Sequence, residues 1–414
     1  MRLAVFTNRF PGPTVTFFAR DMRALLEAGV TVDIFPFYPV EPALWQYVPD
    51  LLNERVLSRE RIHHLGHRGV GAALARPRAE TLRGIPRFLH DAGRIGGAAL
   101  RYGVGAAAKS AYVAAKAWAW AQRHPRGSYD HVLAYWGNYA ATAAYVFHRL
   151  TDRAMPFSMI VHARMDLYRQ PTYLAQKMLY ADNIFLVSEF NRGYIQDKYA
   201  DVFPRIAQKI RIHHLGLDLD ALRYEPDARP PCKLLAVGRL ERLKGFHNLL
   251  RSAQQLRRKG LGVEVELIGG GDEEGRLKRL AADLGIGPHV RFRGWLPPEE
   301  VVQEMRRGTL LVHPPVALDA MPTVLKEAMA VGTPVVASDV AGIPEILDQG
   351  RSGVLVRPDD VSGLAAAIEC LLGDEALRRR YAHAARRHVE RHFDLWKNGR
   401  RLADCLRATP RRPA

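Results

Sequence analysis

The sequence contains only three cysteines in 414 residues, Cys232, Cys370 and Cys405. An odd number without metal-ligand spacing predicts neither a disulfide framework nor a zinc site, so we expect reduced thiols in a cytoplasmic protein. No uncharged apolar run reaches the length of a membrane-spanning helix. The opening residues, MRLAVFTNRF, lack the long apolar region of a secretory signal peptide. About half of the residues are apolar, which is typical of a globular chain.

Acidic residues are also few, and the formal net charge is +17. Residues 61–129 hold twelve Lys or Arg against two acids, a net charge of +10, together with Phe88, Trp118 and Trp120. Basic helices with aromatic side chains suit an anionic membrane surface. A solvated basic face on ordinary helices is the alternative, and both interpretations stay open. We expect no nucleic-acid partner.

Apolar strands alternate with amphipathic helices along most of the chain, which predicts parallel sheets. The length predicts two domains. Three prolines and little periodicity mark residues 217–232 as a linker. The predicted parts are an α/β first domain over 1–216 with a basic helical insertion at 61–129, the linker at 217–232, an α/β second domain over 233–395, and a tail over 396–414 that crosses back to the first domain.

The stretch VGRLERLKG places basic side chains after a strand. Arg239 and Lys244 lie on the loop that leads into a helix opened by Gly245. A helix N-terminus and two cations stabilise an anion, and a diphosphate can take a fork from Arg and a point charge from Lys. The alternative is a solvated basic loop. The later turn LIGGGD predicts a tight turn on the same side of the second domain.

The stretch LDAMPTVLKEAMAVGTPVVAS places two acids around a helix start. Pro322 is typical of the first helical position, so the helix starts after Met321, with Asp319 ahead of it and Glu327 inside it. A loop carboxylate can accept hydrogen bonds from sugar hydroxyls, and a helix carboxylate can hold a ribose. Free N–H groups at the helix start can face a phosphate between them. The pattern predicts a nucleotide sugar across the helix end; the alternative is an acid that favours the helix dipole.

Together these motifs resemble the family 4 glycosyltransferases, a retaining group that uses nucleotide-diphosphate sugars. The matching stretches, between about 233 and 395, are VGRLERLKG, GGGD, FRGWL, DAMPTVLKEAMAVGTPVVASDVAGIPEIL and GVLVRPDD. The resemblance implies the GT-B fold, in which two Rossmann-like doubly wound domains face each other across a cleft. It also implies that Arg239 and Lys244 bind the donor diphosphate and that Glu327 holds the ribose. The other donor-binding residues it implies are Gly238, Leu296, Asp319, Ala320, Met321, Pro322 and Thr323.

The sequence departs from the family at the first acid of the pair. The family has Glu followed by Gly where this chain has Asp319 followed by Ala320. Asp is one methylene shorter, so the sugar sits differently or the contact is lost. The identity of the donor sugar is therefore open.

The first half resembles family members that build bacterial exopolysaccharides, through PTVTFFARDMRALLEAGVTVDIF and FSMIVHARMDLY. This likeness implies an acceptor side at Gly12, Pro13 and Thr14, and catalytic roles for His162 and Asp166. Two acids usual in the first stretch are replaced by Val15 and Asp21. A histidine after a strand is otherwise a packed core residue.

The resemblance implies transfer with retention, without a metal or an organic cofactor. The expected catalytic residues are His162, Asp166, Arg239, Lys244 and Asp319, and the cations would stabilise the departing nucleoside diphosphate. The acceptor would be a glycan or a lipid-linked glycan, in cell-surface polysaccharide or glycoconjugate synthesis. The alternative is a non-catalytic subunit that binds nucleotide sugar or glycan, which the changes at Asp319 and Val15 support. No residue pattern favours an epimerase or a phosphorylase.

Overall fold

The predicted alternation of strands and helices folds into two parallel sheets of six strands each. The structure is a computed structural model and describes residues 1–11, 16–38, 57–162, 166–168, 171–226 and 232–413. Met1–Gly216 and Leu395–Ala414 form a first unit, and Leu217–Asp394 forms a second. Two Rossmann-like α/β sheets were predicted, and this fold class is confirmed.

The sheet of the first unit has the strand order β2-β1-β3-β4-β5-β6. The strands are β1 (Arg2–Thr7), β2 (Thr31–Pro36), β3 (His131–Ala134), β4 (Phe157–Val161), β5 (Asn183–Leu186) and β6 (Ile210–Ile212). The central strands are buried along their length because helices cover both faces, which explains their continuous apolar runs. The short edge strand β6 was not predicted, since its three residues are only half-buried or exposed.

The helices of the first unit include the predicted basic insertion between β2 and β3. They are α1 (Thr16–Glu27), α2 (His67–Ala75), α3 (Ala79–Leu82), α4 (Ile85–Leu100), α5 (Val104–Ala121), α6 (Tyr139–Leu150), α7 (Leu174–Tyr180), α8 (Glu189–Lys198), α9 (Phe203–Ile206) and, from the end of the chain, α17 (Leu395–Ala408). Helices α2 to α5 form the insertion. None of the helices in the described ranges is both long and apolar enough to cross a membrane.

Helix α5 anchors the insertion to the sheet. The buried Lys116 ammonium donates hydrogen bonds to the carbonyl oxygens of Pro36, the last residue of β2, at 3.3 Å and of Phe37, the next residue, at 2.5 Å. Burial lowers the pKa of Lys116 to about 8. One helical turn further along, Trp120 packs edge-on against Phe35 with the ring centroids 5.5 Å apart. The insertion is thus fixed to the carboxyl end of β2 by both polar and apolar contacts.

The sheet of the second unit has the order β12-β11-β10-β7-β8-β9. Its strands are β7 (Lys233–Val237), β8 (Glu264–Ile268), β9 (Val290–Phe292), β10 (Leu310–His313), β11 (Val335–Ser338) and β12 (Val354–Val356). Its helices are α10 (Phe246–Arg258), α11 (Glu274–Asp283), α12 (Pro298–Arg307), α13 (Thr323–Val331), α14 (Ile343–Ile346), α15 (Val361–Gly373) and α16 (Glu375–His392). All strand pairs in both sheets are parallel.

The first part of the predicted linker packs into the second unit. Leu217, Leu219 and Leu222 are buried in its core, and the Leu217 N–H donates to the Phe393 carbonyl at 2.7 Å. These apolar side chains explain the difference from the prediction, which rested on the prolines; residues 227–231 lie outside the described residues. The second unit therefore spans 217–394 rather than 233–395.

The end of the chain returns to the first unit, where α17 packs on α1. The helices approach closely, because a Cβ atom on Gly399 would lie 2.3 Å from the Cβ of Ala24. Beyond the helix, the Arg412 guanidinium bonds to the Asp182 carboxylate at 2.9 Å and lies over the Tyr180 ring. Residues 395–413 thus complete the first unit.

In each sheet, the direction in which successive strands are added reverses at one pair of neighbouring strands, the switch point. In the first unit, successive strands run outward in both directions from the β1–β3 pair, and in the second unit from the β7–β10 pair. Ligands of open parallel α/β sheets bind outside the carboxyl ends of the strands at such points. The residues that follow β1, β3, β7 and β10 are therefore the expected ligand-binding positions.

Candidate functional site

Three loops at the carboxyl edge of the second sheet lie in close backbone contact. Gly245 has φ of 67°, and a Cβ there would lie 1.8 Å from the Pro314 carbonyl oxygen, in the segment after β10. Gly269, after β8, has φ of 128°, and its Cβ would lie 2.0 Å from the Gly238 carbonyl oxygen. Only glycine permits both the conformation and the approach. These glycines bring the segments that follow β7, β8 and β10 together.

The two predicted diphosphate-binding cations lie on the loop after β7, and each is paired with a carboxylate. Arg239 is about half exposed, and its Nη1 lies 2.5 Å from Oε1 of Glu241. Lys244 Nζ lies 2.6 Å from Oδ2 of Asp319, a residue that follows β10. The structure thus brings Lys244 and Asp319 together across the switch point, as a site at this edge requires.

A histidine that the sequence reasoning missed completes this cluster. His313, the last residue of β10, is buried, and its Nε2 lies 2.7 Å from Oδ2 of Asp319. Burial would raise the pKa of Asp319, but the charge of Lys244 and the hydrogen bond to His313 outweigh it and hold that pKa well below its usual range. Burial lowers the pKa of His313. A histidine ending a strand beside the switch point was the signal available in the sequence.

The start of α13 faces the same edge. Thr323 is its first residue and Pro322 is the N-cap, with ψ of 118°, so the helix begins one residue later than predicted. The Pro322 side chain makes no capping hydrogen bond, and the helix dipole and the first N–H groups favour an anion there. Glu327 is half-buried on the second turn.

The remaining predicted donor-binding residues are buried or half-buried, and most of them are apolar. Leu296 and Met321 are partly buried against the core of the second unit. Ala320 is buried, and its φ lies outside the left-handed region, so alanine replaces the family's glycine without backbone strain. A Cβ on Gly342 would lie 1.9 Å from the Ala320 carbonyl oxygen, so the segment after β11 also closes on this loop.

In the first unit, Asp166 is fully buried and binds backbone groups. Its Oδ2 accepts hydrogen bonds from the N–H of Gly137 at 2.7 Å and of His162 at 2.8 Å. Burial raises the pKa of Asp166 to about 7, although these two N–H groups and the charge of Lys177 lower it. Asp166 therefore fixes the segment after β3 to the segment after β4. The predicted pair of His162 and Asp166 does come together, through the histidine's backbone rather than its ring.

The His162 ring lies among aromatic side chains. Its centroid is 5.3 Å from those of Phe17 and Trp136 and 5.4 Å from that of Tyr135. Burial lowers the pKa of His162 to about 4, so the ring is neutral at pH 7. Its Nε2 is shielded from solvent and has no hydrogen-bond partner among the described residues. A shielded, unpaired Nε2 is a costly arrangement that a bound ligand can satisfy.

Asp21, one of the residues altered from the family pattern, lies in the core of the first unit. Its Oδ2 accepts a hydrogen bond from the Tyr135 hydroxyl and lies 2.9 Å from Nε2 of His213. Neither partner was predicted from the sequence, because both are far from residue 21 along the chain. Gly12, Pro13 and Thr14, the predicted acceptor side, and Val15 lie outside the described residues.

Two parallel six-stranded sheets, each with a strand order that runs outward from one central pair, are the architecture of the GT-B fold of glycosyltransferases. Sucrose-phosphate synthase from Thermosynechococcus elongatus has this fold, with a TM-score of 0.70 and 18% identity over 98% of each chain. HepE of Anabaena, solved in complex with UDP-glucose, gives a TM-score of 0.67 with 16% identity over 99% of this chain and 100% of that one. At these identities the likeness is one of fold.

Residues 226–388 match the family model of the glycosyl transferases group 1. Over 425 aligned residues the chain is 28% identical to the amylovoran biosynthesis glycosyltransferase AmsK of Erwinia amylovora, covering 98% of this chain and 99% of that protein. A glycosyltransferase with the GT-B fold was predicted, and these matches confirm it. Membership of family 4 and retention of configuration stay predictions.

Proposed function

We propose that the protein transfers a sugar, with retention, from a nucleotide-diphosphate sugar to a glycan or lipid-linked acceptor in cell-surface polysaccharide or glycoconjugate synthesis. The observation that carries the proposal is the ion pair of Lys244 with Asp319 at the switch point of the second sheet, where Arg239 lies on the same loop as Lys244 and α13 begins shortly after Asp319. The names of two similar proteins support it, since HepE was solved with UDP-glucose and AmsK acts in amylovoran biosynthesis.

The donor diphosphate would compete with Glu241 and Asp319, the two carboxylates that pair with the cations in this structure. Arg239 would leave Glu241 for a forked contact with the phosphates, and Lys244 would be shared between Asp319 and the donor. The cations and the helix start would then stabilise the negative charge of the departing nucleoside diphosphate, without a metal. Glu327 would hold the ribose. Asp319, kept ionised by its partners, would accept a hydrogen bond from a hydroxyl of the transferred sugar.

In the first unit, His162 would donate to or accept from the reacting sugar through its shielded Nε2. Asp166 would act as a positioning residue, because it holds the His162 backbone and does not reach solvent. A neutral imidazole can serve as donor or acceptor according to its tautomer. Substitution of Asp166 would therefore impair turnover through displacement of His162.

The insertion would rest on an anionic lipid surface, at the inner face of the cytoplasmic membrane. Large apolar side chains in the insertion are strongly exposed, namely Leu74, Leu82, Leu89, Leu100, Tyr102 and Val104. Residues 61–129 also carry a net charge of +10. Exposed apolar side chains among cations suit the headgroup region of an anionic membrane. Charge complementarity thus favours lipid as the partner of this face.

The donor site is tested by a thermal-shift panel of UDP, GDP, ADP and their sugars. A ligand that binds only the folded state raises the Tm, so we expect one nucleotide sugar to stabilise the wild type and Arg239→Ala to abolish the shift. Arg242→Ala, which removes an exposed cation from the same loop, is the matched control and should retain the shift. No shift at millimolar concentration would contradict the proposal. Binding without transfer to any acceptor would instead favour a non-catalytic subunit.

The membrane surface is tested by flotation with liposomes of neutral lipid alone and of neutral plus anionic lipid. We expect flotation only with the anionic vesicles. The double variant Leu89→Asp, Val104→Asp should lose it, while its thermal unfolding should stay close to that of the wild type because both side chains are exposed. Absence of binding to either vesicle would refute the lipid partner and leave a solvated basic face.

A further inference from the structure

A lysine of the insertion lies between two tyrosine rings at the carboxyl edge of the first sheet. Lys109 Nζ is 4.7 Å from the ring centroid of Tyr38 and 4.6 Å from that of Tyr139, and it donates a hydrogen bond to the Tyr38 hydroxyl. All three side chains are half-buried. Tyr38 follows β2, and Tyr139 opens the helix that follows β3. We call these three residues the tyrosine–lysine cluster.

The cluster lies at the switch point of the first sheet, where β1 and β3 are neighbours. The Tyr38 N–H donates to the carbonyl of Asn8 at 2.7 Å, and the Asn8 side chain accepts from the Ala140 N–H at 3.2 Å, so the segments after β1, β2 and β3 are tied together. Arg9 adds a second cation 5.5 Å from the Tyr38 ring centroid. This is the part of an open α/β sheet where ligands bind.

The insertion is built to hold Lys109 at this place. Lys109 and Lys116 are seven residues apart on α5 and therefore lie on one helix face. Lys116 is buried and fixed to the carbonyl oxygens that end β2. That contact sets the rotation of α5, so Lys109 is directed to the rim of the same strand end. The lysine is consequently a fixed part of the sheet edge, rather than a mobile surface charge.

The surroundings of the Lys109 ammonium differ from those of the two donor-site cations. Arg239 and Lys244 are each paired with a carboxylate, whereas no carboxylate pairs with Lys109 within the ranges that the structure describes. Only one of its three donors has an acceptor there, the Tyr38 hydroxyl. An ammonium with unused donors between two aromatic rings fits a ligand that combines an anionic group with a sugar ring, which packs on tyrosine faces.

We propose that the tyrosine–lysine cluster binds the phosphate of a glycosyl phosphate, with the adjacent sugar packed against Tyr38 or Tyr139. The inference rests on the proposed function, since this ligand would be the acceptor or the anchor of the acceptor. The glycosyl phosphate could be soluble or carried as a diphosphate on a lipid. The exposed Leu100, Tyr102 and Val104 precede Lys109, and Val104 is about 7.5 Å from it along the helix axis. An alkyl chain leaving the cluster would meet them.

The test is isothermal titration of the full chain with named probes, in a saturating concentration of whichever of UDP, GDP and ADP the thermal-shift panel selects, so that the donor site is filled. The probes are the 1-phosphates of glucose, galactose and mannose, their decyl diphosphate esters, and the three free hexoses. At least one phosphorylated probe should bind, and the free hexoses should bind at least about tenfold more weakly. Tighter binding of the decyl esters would assign the lipid-linked source, and equal binding the soluble one.

Variants separate the cluster from general charge effects. Lys109→Ala should weaken binding of the phosphorylated probe by at least about tenfold, and Lys109→Arg, which keeps the charge, should keep most of it. Arg101→Ala removes an exposed cation of the same insertion and should change nothing. Unchanged binding in Lys109→Ala, or no binding of any phosphorylated probe by the wild type, would overturn the inference.

The proposed function can fail independently. UDP, GDP and ADP are each titrated alone. The nucleotide that binds the wild type should bind Lys109→Ala equally and should not bind Arg239→Ala. If one nucleotide behaves so while the phosphorylated hexoses do not bind, the tyrosine–lysine cluster is not an acceptor site and the donor site stands. If the hexose phosphates bind and none of the three nucleotides does, the donor proposal fails and the cluster stands.

Discussion

Because Arg239 pairs with Glu241, removal of the glutamate charge should change the affinity for the nucleoside diphosphate in the opposite direction to removal of the arginine. The Arg239 guanidinium and the Glu241 carboxylate are 2.5 Å apart on the loop after β7. A donor diphosphate that takes Arg239 must compete with this carboxylate. We therefore expect Glu241→Gln, which keeps the shape and removes the charge, to strengthen binding of the nucleoside diphosphate.

The size of the effect follows from the exposure of the pair. The side chain of Arg239 is 48% exposed and that of Glu241 is 23% exposed. Ion pairs of this kind contribute about 0–1 kcal/mol, so their release can raise affinity by at most about fivefold. Removal of a negative charge next to the diphosphate acts in the same direction and weakens as salt screens it. We expect Kd to fall about two- to fivefold at low ionic strength.

Titration calorimetry at low and high salt, with the nucleotide selected by the thermal-shift panel, measures this change. Glu369→Gln is the matched control, because Glu369 pairs with Lys259 at a different part of the second unit and the variant has the same net charge. The control should bind like the wild type. Weaker binding by Glu241→Gln, or a gain of equal size in the control, would refute the competition between carboxylate and diphosphate.

Three further predictions concern the same unit. Gly245→Ala should lower the free energy of unfolding by more than about 1 kcal/mol in a urea titration, because its Cβ would meet the Pro314 carbonyl oxygen at 1.8 Å; an unchanged midpoint would contradict this contact. Asp319→Asn should cost about 1–3 kcal/mol at pH 7. The folded-state pKa of Asp319 is lowered, so its contribution to the free energy of unfolding is complete above the unfolded pKa of about 4 and is lost as the pH falls below that value. Urea titrations from pH 5 to pH 3 should therefore show the unfolding free energies of the wild type and Asp319→Asn converging. A constant difference between them would argue against the ion pair. Chelation by EDTA should leave sugar transfer unchanged, and recovery of a lost activity by added Mg²⁺ or Mn²⁺ would show that the cations of the site are insufficient.

The strands and most helices follow from local pattern, and the exceptions have local causes. Strands such as β1 and β7 are apolar because they are buried on both faces, so the sequence predicts them directly. Edge strand β6 is only three residues long and carries no such pattern. The segment beginning at Leu217 contains the leucines that pack into the core of the second unit, but its prolines predicted a linker. The core that buries it is formed by residues up to 176 positions later, such as Phe393.

Some residues of the candidate site can likewise be predicted from local sequence, whereas others depend on contacts between distant segments. Arg239, Lys244 and Asp319 were predicted because each follows a strand and belongs to a recognisable motif. Their partners Glu241 and His313 were not, because ion pairing depends on side-chain geometry that sequence spacing does not encode. The tyrosine–lysine cluster could not be predicted, since its members come from three separate segments of the first unit.

The return of the chain's last segment to the first unit has a consequence for synthesis. The second unit is one continuous stretch, whereas the first needs α17, whose Gly399 packs against Ala24. Domains fold as they leave the ribosome, so the unit that begins the chain is completed after the one that follows it. Until residues 395–413 emerge, the surface of α1 around Ala24 stays uncovered. A chain arrested at residue 394 would thus present a folded second unit joined to a first unit with an open apolar face, which is the kind of surface that chaperones bind.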